Sequence, residues 1–226
     1  MMKGIVNLFN QIEKKHLKLF SLFLILNLFF TMPIFAEFYW ENPEIISSGD
    51  SRFPVVASNK EGVSVVVWQE IVGNKIYLSA KTSYENQWQS NSRFAGPYDF
   101  TGEVPNIFSA AVNNKNQIVV AVLSGTDKMS VFTSSDFGKN FSEIVLQQEA
   151  NSLVAPRVFR TSEDKFMIFA TQGENESFKL MTSTSVDGIT WESFEDFMPS
   201  YSMQNAFIPT LIALEDRDLV VFQASF

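Results

Sequence analysis

Cysteine is absent from the 226-residue chain, and its one histidine, His16, lies in an N-terminal segment that differs from the remainder. Without cysteine the chain forms neither a disulfide framework nor a lipidated cysteine. Beyond His16, catalysis by Ser–His–Asp or Cys–His groups and zinc binding by histidine and cysteine are excluded as well. Carboxylates, hydroxyls, tyrosine, lysine and arginine remain for chemistry. We therefore predict that the protein uses no metal and no cofactor.

The N-terminal segment has the features of an export signal. Three lysines, at positions 14, 15 and 18, precede the nearly continuous apolar run 19–30, and the small residue Ala36 comes after Pro33. This order is typical of a secretory signal peptide. The run is shorter than the ~20 residues of a spanning helix, and an uncleaved anchor is the alternative. We expect residues 1–36 to be removed and the mature protein to be periplasmic, on the cell surface or secreted.

Positive charge is scarce in the expected mature chain, residues 37–226. The whole chain has a formal charge of −8, and removing a segment of net charge +3 makes it −11. An acidic surface disfavours nucleic acid and anionic membranes as partners and favours solubility. Apolar residues nevertheless make up 46% of the chain, including 23 phenylalanines, which is enough for a folded core.

Proline marks an internal repeat. Pro54, Pro105, Pro156 and Pro209 follow one another at intervals of 51, 51 and 53 residues, and each is predicted to open an apolar strand. A polar turn and a second strand come next in every repeat. The second strands are apolar on both faces, which is typical of strands covered from both sides. They are predicted at Val63–Trp68, Ile118–Leu123, Phe166–Ala170 and Leu219–Phe222.

Two further strands complete each of the first three units. Third strands are predicted at Lys75–Ser83, Lys128–Ser135 and Phe178–Ser185. Each leads through a tight turn to an aromatic residue, namely Trp88, Phe141 or Trp191, and a fourth strand such as Ser142–Gln147 follows. Four antiparallel strands in about 50 residues are typical of a β-propeller blade. The sequence therefore predicts an all-β chain of about three and a half propeller blades.

Two of the turns between third and fourth strands share a motif. The longer form is Ser134-Ser-Asp136-Phe-Gly138-Lys-Asn140-Phe141 and the shorter is Ser185-Val-Asp187-Gly188-Ile-Thr190-Trp191. Both resemble the Asp box of the sialidase-like (BNR) propellers. The first repeat has a degenerate version, Thr82–Trp88, which lacks the aspartate and the glycine.

The motif residues have a structural explanation. Aspartate accepts hydrogen bonds from turn amides, and glycine supplies the positive φ that such a turn needs. The serine is expected to tie the strands together, and the aromatic ring to pack under the turn. The resemblance also implies that these turns lie away from the active face. We therefore interpret Asp136 and Asp187 as fold residues, and no cluster of carboxylates favours calcium.

The predicted ring is incomplete. Phe38–Ser47 resembles a lone fourth strand, because Glu44-Ile-Ile matches Glu143-Ile-Val, and such a strand could complete the last blade of a propeller. Propellers have about four to eight blades. We expect the N-terminal part of a longer protein, with two copies closing one ring as the alternative. An apolar edge on the last blade predicts self-association.

One candidate site residue follows from the resemblance. Sialidases carry an Arg–apolar–Pro motif on the first strand of the first blade, where the arginine holds the carboxylate of the sugar, and Arg52-Phe53-Pro54 stands in that place. Guanidinium groups bind carboxylates with two parallel hydrogen bonds. Alternatively, Arg52 simply pairs with Asp50 or Glu70. The second arginine and the aspartate that the family places next are missing from 68–74, where Glu70 is the only acid.

These observations favour an exported, non-catalytic propeller module that binds glycans or extracellular proteins. Tyr98, Phe100 and Tyr201 fall in loops and could stack on sugar rings, or anchor the loops. The alternative is an exo-α-sialidase-like glycoside hydrolase whose remaining catalytic residues lie outside this chain. In that case Arg52 is the candidate carboxylate-binding residue and Glu70 a weak candidate acid.

Overall fold

The computed structural model describes residues 45–47, 49–85, 87–99, 108–124, 128–147, 153–174, 177–197 and 205–225. All of them belong to one unit, Ile45–Phe226. The expected signal peptide, Pro105, Phe100, Tyr201 and most of the expected strand Phe38–Ser47 lie outside the described residues.

Every described element is a β-strand, and the described residues contain no helix. The first sheet contains β1 (Asp50–Ser58), β2 (Ser64–Val72), β3 (Lys75–Tyr84), β4 (Gln87–Trp88) and β5 (Ser92–Asp99). The second contains β6 (Phe108–Val112), β7 (Ile118–Ser124), β8 (Lys128–Ser134) and β9 (Ser142–Gln147). The third contains β10 (Leu153–Arg160), β11 (Phe166–Glu174), β12 (Ser177–Ser185) and β13 (Glu195–Asp196). The last hairpin is formed by β14 (Asn205–Ala213) and β15 (Asp218–Ser225).

Strands that follow one another in the chain pair antiparallel within each sheet. In the first sheet β4 and β5 both pair with β3, so that β5 takes the place of the fourth strand. The third sheet has only the short β13 in that place. Among the described residues, the last hairpin joins β12 of the third sheet through one parallel pair, Phe178 with Asn205. The prediction of an all-β chain with antiparallel four-stranded sheets is confirmed.

Several strand boundaries follow the predictions closely, but the first strands and the expected strand near the N-terminus do not. Strand β9 has the predicted bounds, and β7 extends the prediction by one residue. Strands β2 and β11 continue beyond their apolar runs, because pairing with the third strand continues there. The described part of the expected strand Phe38–Ser47, residues 45–47, lies in no strand. Ile45 has 86% of its surface exposed, so no packing holds it in a ladder.

The repeated prolines do not open their strands, which corrects the prediction from the sequence. Pro54, Pro156 and Pro209 lie inside β1, β10 and β14, where the register with the second strand shifts. Proline has no N–H group to donate to the ladder, and a bulge accommodates it without breaking the strand. The preceding residues Phe53 and Ala155 adopt left-handed conformations, with φ of 52° and 53°.

Three apolar cores lie between consecutive sheets. Alternate residues of a strand point to opposite sides, so β7 and β11 each contribute to the core before them and to the core after them. Toward the following sheet, the second strands contribute Val65 and Val67, Val119 and Ala121, and Met167 and Phe169. This arrangement explains why the second strands are apolar on both faces.

The turns between first and second strands repeat one geometry. The side-chain oxygens of Asn59, Asn113 and Thr161 each accept the N–H of the residue four positions later, at 2.9, 2.9 and 3.1 Å. The residue before that donor has a positive φ in each turn, and it is Gly62, Asn116 or Asp164. Glycine, asparagine and aspartate are the residues that tolerate this conformation best.

Hydrogen bonds also join each of these turns to the next. In all three cases a side-chain oxygen of the following unit accepts a hydrogen bond from an N–H group of the preceding turn. The pairs are Asn59 Nδ2 to Asn116 Oδ1 at 2.8 Å, Asn114 N to Asp164 Oδ1 at 2.8 Å, and Ser162 N to Asp218 Oδ1 at 2.7 Å. Polar contacts thus fix the spacing of the sheets at the edge where the apolar cores end.

The turn after β8 is built on two side chains. The hydroxyl of Ser134 donates to Asp136 Oδ1 at 2.8 Å and accepts the N–H of Gly138 at 3.0 Å. Asp136 in turn accepts the backbone N–H of Asn140 at 3.0 Å. The ring of Phe141 then stacks on Phe94 of the first sheet, with centroids 4.5 Å apart.

The turn after β12 repeats this arrangement in fewer residues. Ser185 donates to Asp187 Oδ1 at 3.1 Å and accepts the N–H of Gly188 at 2.9 Å. Asp187 also accepts the backbone N–H of Thr190 at 2.8 Å. The indole N–H of Trp191 donates to the carbonyl of Gly188 at 3.1 Å.

Both turn aspartates are stabilised as carboxylates. Burial by itself would raise the pKa of Asp136, but hydrogen bonds from Asn140 and Ser134 outweigh burial and lower that pKa below 3.8. The pKa of Asp187 is also lowered, first by the backbone N–H of Thr190. A hydrogen bond to the charged form always acts in this direction.

Acid is therefore expected to weaken these turns. Because the folded pKa values are lowered, the folded state binds fewer protons, and the stabilisation is complete above the unfolded value near pH 4 and is lost as the pH falls through the folded values. We expect the double variant Asp136→Asn, Asp187→Asn to lose less unfolding free energy between pH 5 and pH 3 than the native chain. Urea denaturation at both pH values measures this difference. A Glu215→Gln variant serves as the control, and an equal pH slope in the double variant would contradict the assignment.

Candidate functional site

The candidate residues from the sequence lie at one end of the strands of the first sheet. Strand β1 begins there, β2 ends there, and β3 begins there again because the pairs are antiparallel. We call this the Arg52 edge, comprising residues 50–53, 69–77 and 93–99. The turn between β1 and β2 and the turn after β3 lie at the opposite edge.

Arg52 presents its guanidinium group at the surface. Its Nε and one Nη donate to the two carboxylate oxygens of Asp50, at 3.3 and 3.2 Å. About half of each side chain is exposed, 49% for Arg52 and 51% for Asp50. An exposed pair of this kind contributes only about 0–1 kcal/mol. An incoming carboxylate could therefore replace Asp50 at little cost.

Phe53, the next residue in the chain, is an exposed aromatic residue at the bulge in β1. Its side chain is 55% exposed although its backbone is in the unfavourable left-handed region. Ala155 has the same conformation at the equivalent bulge, so the strain comes from the repeat. Bulges redirect side chains, and this one turns a phenylalanine toward solvent. Sequence reasoning identified the motif but did not predict the bulge, because left-handed φ is rare outside glycine.

Glu70 belongs to a separate cluster. Arg93 donates to both of its carboxylate oxygens, at 2.8 and 2.6 Å, and the hydroxyl of Ser79 donates at 2.7 Å. The guanidinium of Arg93 also lies over the ring of Tyr77, 5.1 Å from its centroid. These hydrogen bonds, chiefly those from Arg93, lower the pKa of Glu70 against the opposing effect of burial. Glu70 is therefore held as a carboxylate, whereas a general acid requires a raised pKa.

The structure does not bring Arg52 and Glu70 together. Arg52 pairs in register with Gln69, and Ser51 pairs with Glu70. Directly opposed residues share a face, whereas successive residues point to opposite faces. Arg52 and Glu70 therefore project from different faces of the first sheet. In the described structure, Asp50 is the acid that accepts hydrogen bonds from Arg52.

The aromatic residues predicted for loops are only partly described. Tyr98 lies in β5 and packs against the core between the first two sheets, which is the anchoring alternative rather than a free stacking surface. In the described part of the chain, no group of three histidine, cysteine, aspartate or glutamate side chains could hold a metal ion. Among the same residues, no helix is long and apolar enough to cross a membrane.

A groove on the outer side of the second and third sheets was not predicted from the sequence. It has a volume of about 440 Å³ and lies between β9 and the segment that follows the turn after β12. Its walls include the exposed Val145 and Ile189 together with Trp191 and Glu192. From the sequence, Trp191 was predicted only to pack under its turn. The contact between β9 and the segment after the turn joins residues far apart in the chain, so their spacing does not predict it.

Comparisons with known proteins address the fold. No family model matches the chain, and no curated protein matches it. Among solved structures, a protein of unknown function from Dyadobacter fermentans superposes with a TM-score of 0.57 and 15% identity, covering 80% of this chain and 60% of that protein. A Hadza microbial sialidase superposes with a TM-score of 0.50 and 12% identity, covering 69% of this chain and 39% of the sialidase. The chain thus has a glycosidase-like β-propeller fold, and it spans less than two thirds of the first structure and well under half of the second.

Proposed function

We propose that the protein is an exported, non-catalytic propeller module of the Asp-box kind that binds carboxylate-bearing glycans through the Arg52 edge. The observation that carries this proposal is the half-exposed guanidinium of Arg52, whose partner among the described residues is the equally exposed Asp50. The neighbouring Phe53 offers an apolar ring surface of the kind that packs on sugars.

The absence of a suitable acid supports binding without catalysis. Glycoside hydrolysis usually needs two carboxyl groups, one of them with a raised pKa. At the Arg52 edge Asp50 is engaged with Arg52, and the pKa of Glu70 is lowered by Arg93. A second arginine for the same carboxylate is also missing at this edge, because Arg93 is committed to Glu70.

The turns after β8 and β12 support assignment to the Asp-box propellers. In both, a serine hydroxyl bridges an aspartate and the N–H of a glycine with positive φ. On this proposal the three sheets and the last hairpin correspond to about three and a half blades. Export is supported by the N-terminal pattern of the sequence.

Binding of sialyllactose and of lactose by the full-length chain, measured by calorimetry, tests the proposal. Sialyllactose is expected to bind and lactose to bind at least tenfold more weakly. Arg52→Ala should weaken sialyllactose binding about 10- to 100-fold, since hydrogen bonds to charged groups contribute about 1.5–3 kcal/mol. Arg217→Ala, at an exposed arginine in the turn of the last hairpin, is the matched control.

Sialidase activity would contradict this proposal. If the native chain hydrolyses a fluorogenic sialoside and Arg52→Ala does not, the protein is an exo-α-sialidase and not a non-catalytic binding module. Equal binding of sialyllactose by the native chain and by Arg52→Ala would remove the Arg52 edge as the site. Binding of an extracellular protein would then be the property to measure next.

A further inference from the structure

The groove between β9 and the turn after β12 contains an aromatic ring of fixed orientation. The indole N–H of Trp191 donates to the carbonyl of Gly188 at 3.1 Å, and the partly buried ring packs against the core between the second and third sheets. Glu192 follows at the surface, where its Oε2 accepts a hydrogen bond from the hydroxyl of Thr184 at 2.6 Å. Its backbone carbonyl accepts another from the hydroxyl of Ser183 at 2.6 Å. The protein itself therefore holds the ring and the neighbouring carboxylate in place.

The equivalent position between the first and second sheets is closed by a second aromatic ring. Phe141 has the same place in the turn after β8 as Trp191 has in the turn after β12, and it stacks on Phe94 of β5 with centroids 4.5 Å apart. Phe94 is the extra residue where β5 shifts its register with the third strand, and Leu146 is the extra residue at the corresponding shift in β9. The smaller Leu146 lines the groove together with Trp191. The crevice that a ring fills between the first two sheets is therefore open between the next two.

A second, smaller recess of about 250 Å³ adjoins the groove, and Trp191 and Glu192 line both. The other side chains of this recess are mostly polar, namely Lys165, Thr184, Ser185, Val186, Asp187 and Thr190. The ammonium group of Lys165 is already paired with Glu163, at 2.7 Å. The two recesses therefore combine an aromatic ring, hydroxyl groups and carboxylates, and this charge balance disfavours an anionic ligand.

We propose that this groove binds an uncharged oligosaccharide and is a second ligand site, separate from the Arg52 edge. The C–H face of a sugar ring packs on the indole of Trp191, beside the exposed Val145 and Ile189. Hydroxyl groups of the same sugar donate to the carboxylate of Glu192, and hydrogen bonds to a charged group are stronger than neutral ones. The groove volume of about 440 Å³ lies within the range of about 300–1,000 Å³ that is usual for small-molecule sites. The site does not depend on Arg52, so it stands or falls independently of the function proposed above.

Titration of the full-length chain with cellotetraose, xylotetraose and N-acetylchitotetraose, followed by calorimetry and by tryptophan emission, tests the proposal. At least one of these neutral sugars is expected to bind with a Kd of about 0.1–1 mM and to change the emission. Trp191→Phe should remove the emission change and weaken binding about fivefold. Its turn should still form, because Phe141 fills the equivalent place after β8. Trp88→Phe, at the corresponding aromatic residue of the first repeat, is the matched control and should bind like the native chain.

Leu146→Phe tests the groove itself, because it places in β9 the residue that closes the equivalent crevice. Its ring is expected to stack on Trp191 as Phe94 stacks on Phe141, and to weaken sugar binding at least about tenfold without lowering stability in urea. Arg52→Ala should bind the neutral sugar as tightly as the native chain.

Three results would overturn this second site. The first is a native chain that binds none of the three sugars, and the second is equal binding by Leu146→Phe and the native chain. The third is loss of neutral-sugar binding in Arg52→Ala, which would move the sugar to the Arg52 edge. If no sugar binds but Leu146→Phe abolishes association with a peptide or with a second copy, the groove binds a protein segment and the proposal is wrong.

Discussion

Gly188→Ala is expected to destabilise the protein by about 2–5 kcal/mol, combining the cost of a left-handed conformation with that of overpacking. Gly188 has φ of +71°, and a Cβ atom built there lies 2.6 Å from Cγ2 of Val119 and 3.2 Å from Oγ1 of Thr133. Both neighbours belong to the second sheet, whereas Gly188 follows the third. The turn is therefore pressed against the preceding sheet, and an added methyl group has to separate them.

Gly62→Ala provides a matched control for this prediction. Gly62 also has a positive φ, +81°, but a Cβ atom there would meet nothing within 4 Å. Gly62→Ala should lower the free energy of unfolding by about 1–2 kcal/mol, the cost of the left-handed conformation alone. Urea denaturation of both variants gives the comparison. Equal losses would mean that the turn after β12 yields to the methyl group and does not determine the distance between sheets. Gly138→Ala should behave like Gly188→Ala, because its Cβ would lie 2.5 Å from Oγ1 of Thr82.

Phe169→Ala should cost about 3–5 kcal/mol, as truncation of a fully buried phenylalanine usually does. Phe169 has no exposed surface and joins the third sheet to the last hairpin. Its ring meets Phe159 and Phe197 edge-on, at centroid distances of 6.1 and 5.0 Å. Because the described part of the hairpin shares one backbone pair with the third sheet, this core is its main attachment there. We therefore expect the hairpin to loosen before the rest unfolds.

Phe53→Ala tests whether the effect of Phe169→Ala comes from burial. The same chemical change at a ring that is 55% exposed should alter the free energy of unfolding by less than about 1 kcal/mol. Hydrogen exchange of the two variants separates local from global loss. Protection should fall first in β14 and β15 of Phe169→Ala, and uniform loss across all sheets would contradict a hairpin held mainly by this core.

The strands and their order can be predicted from the sequence. Apolar runs on both faces of the second strands can be read locally, since a strand covered from both sides needs apolar residues at every position. The turns could also be predicted, because their hydrogen bonds are local. Asp136 accepts the N–H of Asn140, and Gly138 donates its N–H to the hydroxyl of Ser134, four residues away in each case. Even so, the prolines misled the prediction of strand starts. Their role as bulge residues depends on the register with a neighbouring strand, which spacing alone does not reveal.

The candidate site was decided by the tertiary structure. The sequence left open whether Arg52 pairs with Asp50 or with Glu70, 18 positions away, and pairing of β1 with β2 places Arg52 and Glu70 on opposite faces. The partner of Glu70 is Arg93, 23 residues away, and only the pairing of β3 with β5 brings it within 2.6 Å. The residue type fixes which group a side chain carries. Which charged groups lie beside a carboxylate depends on the pairing of strands that are distant in the chain. The fold class was therefore predictable from the sequence, and the chemistry of the site was not.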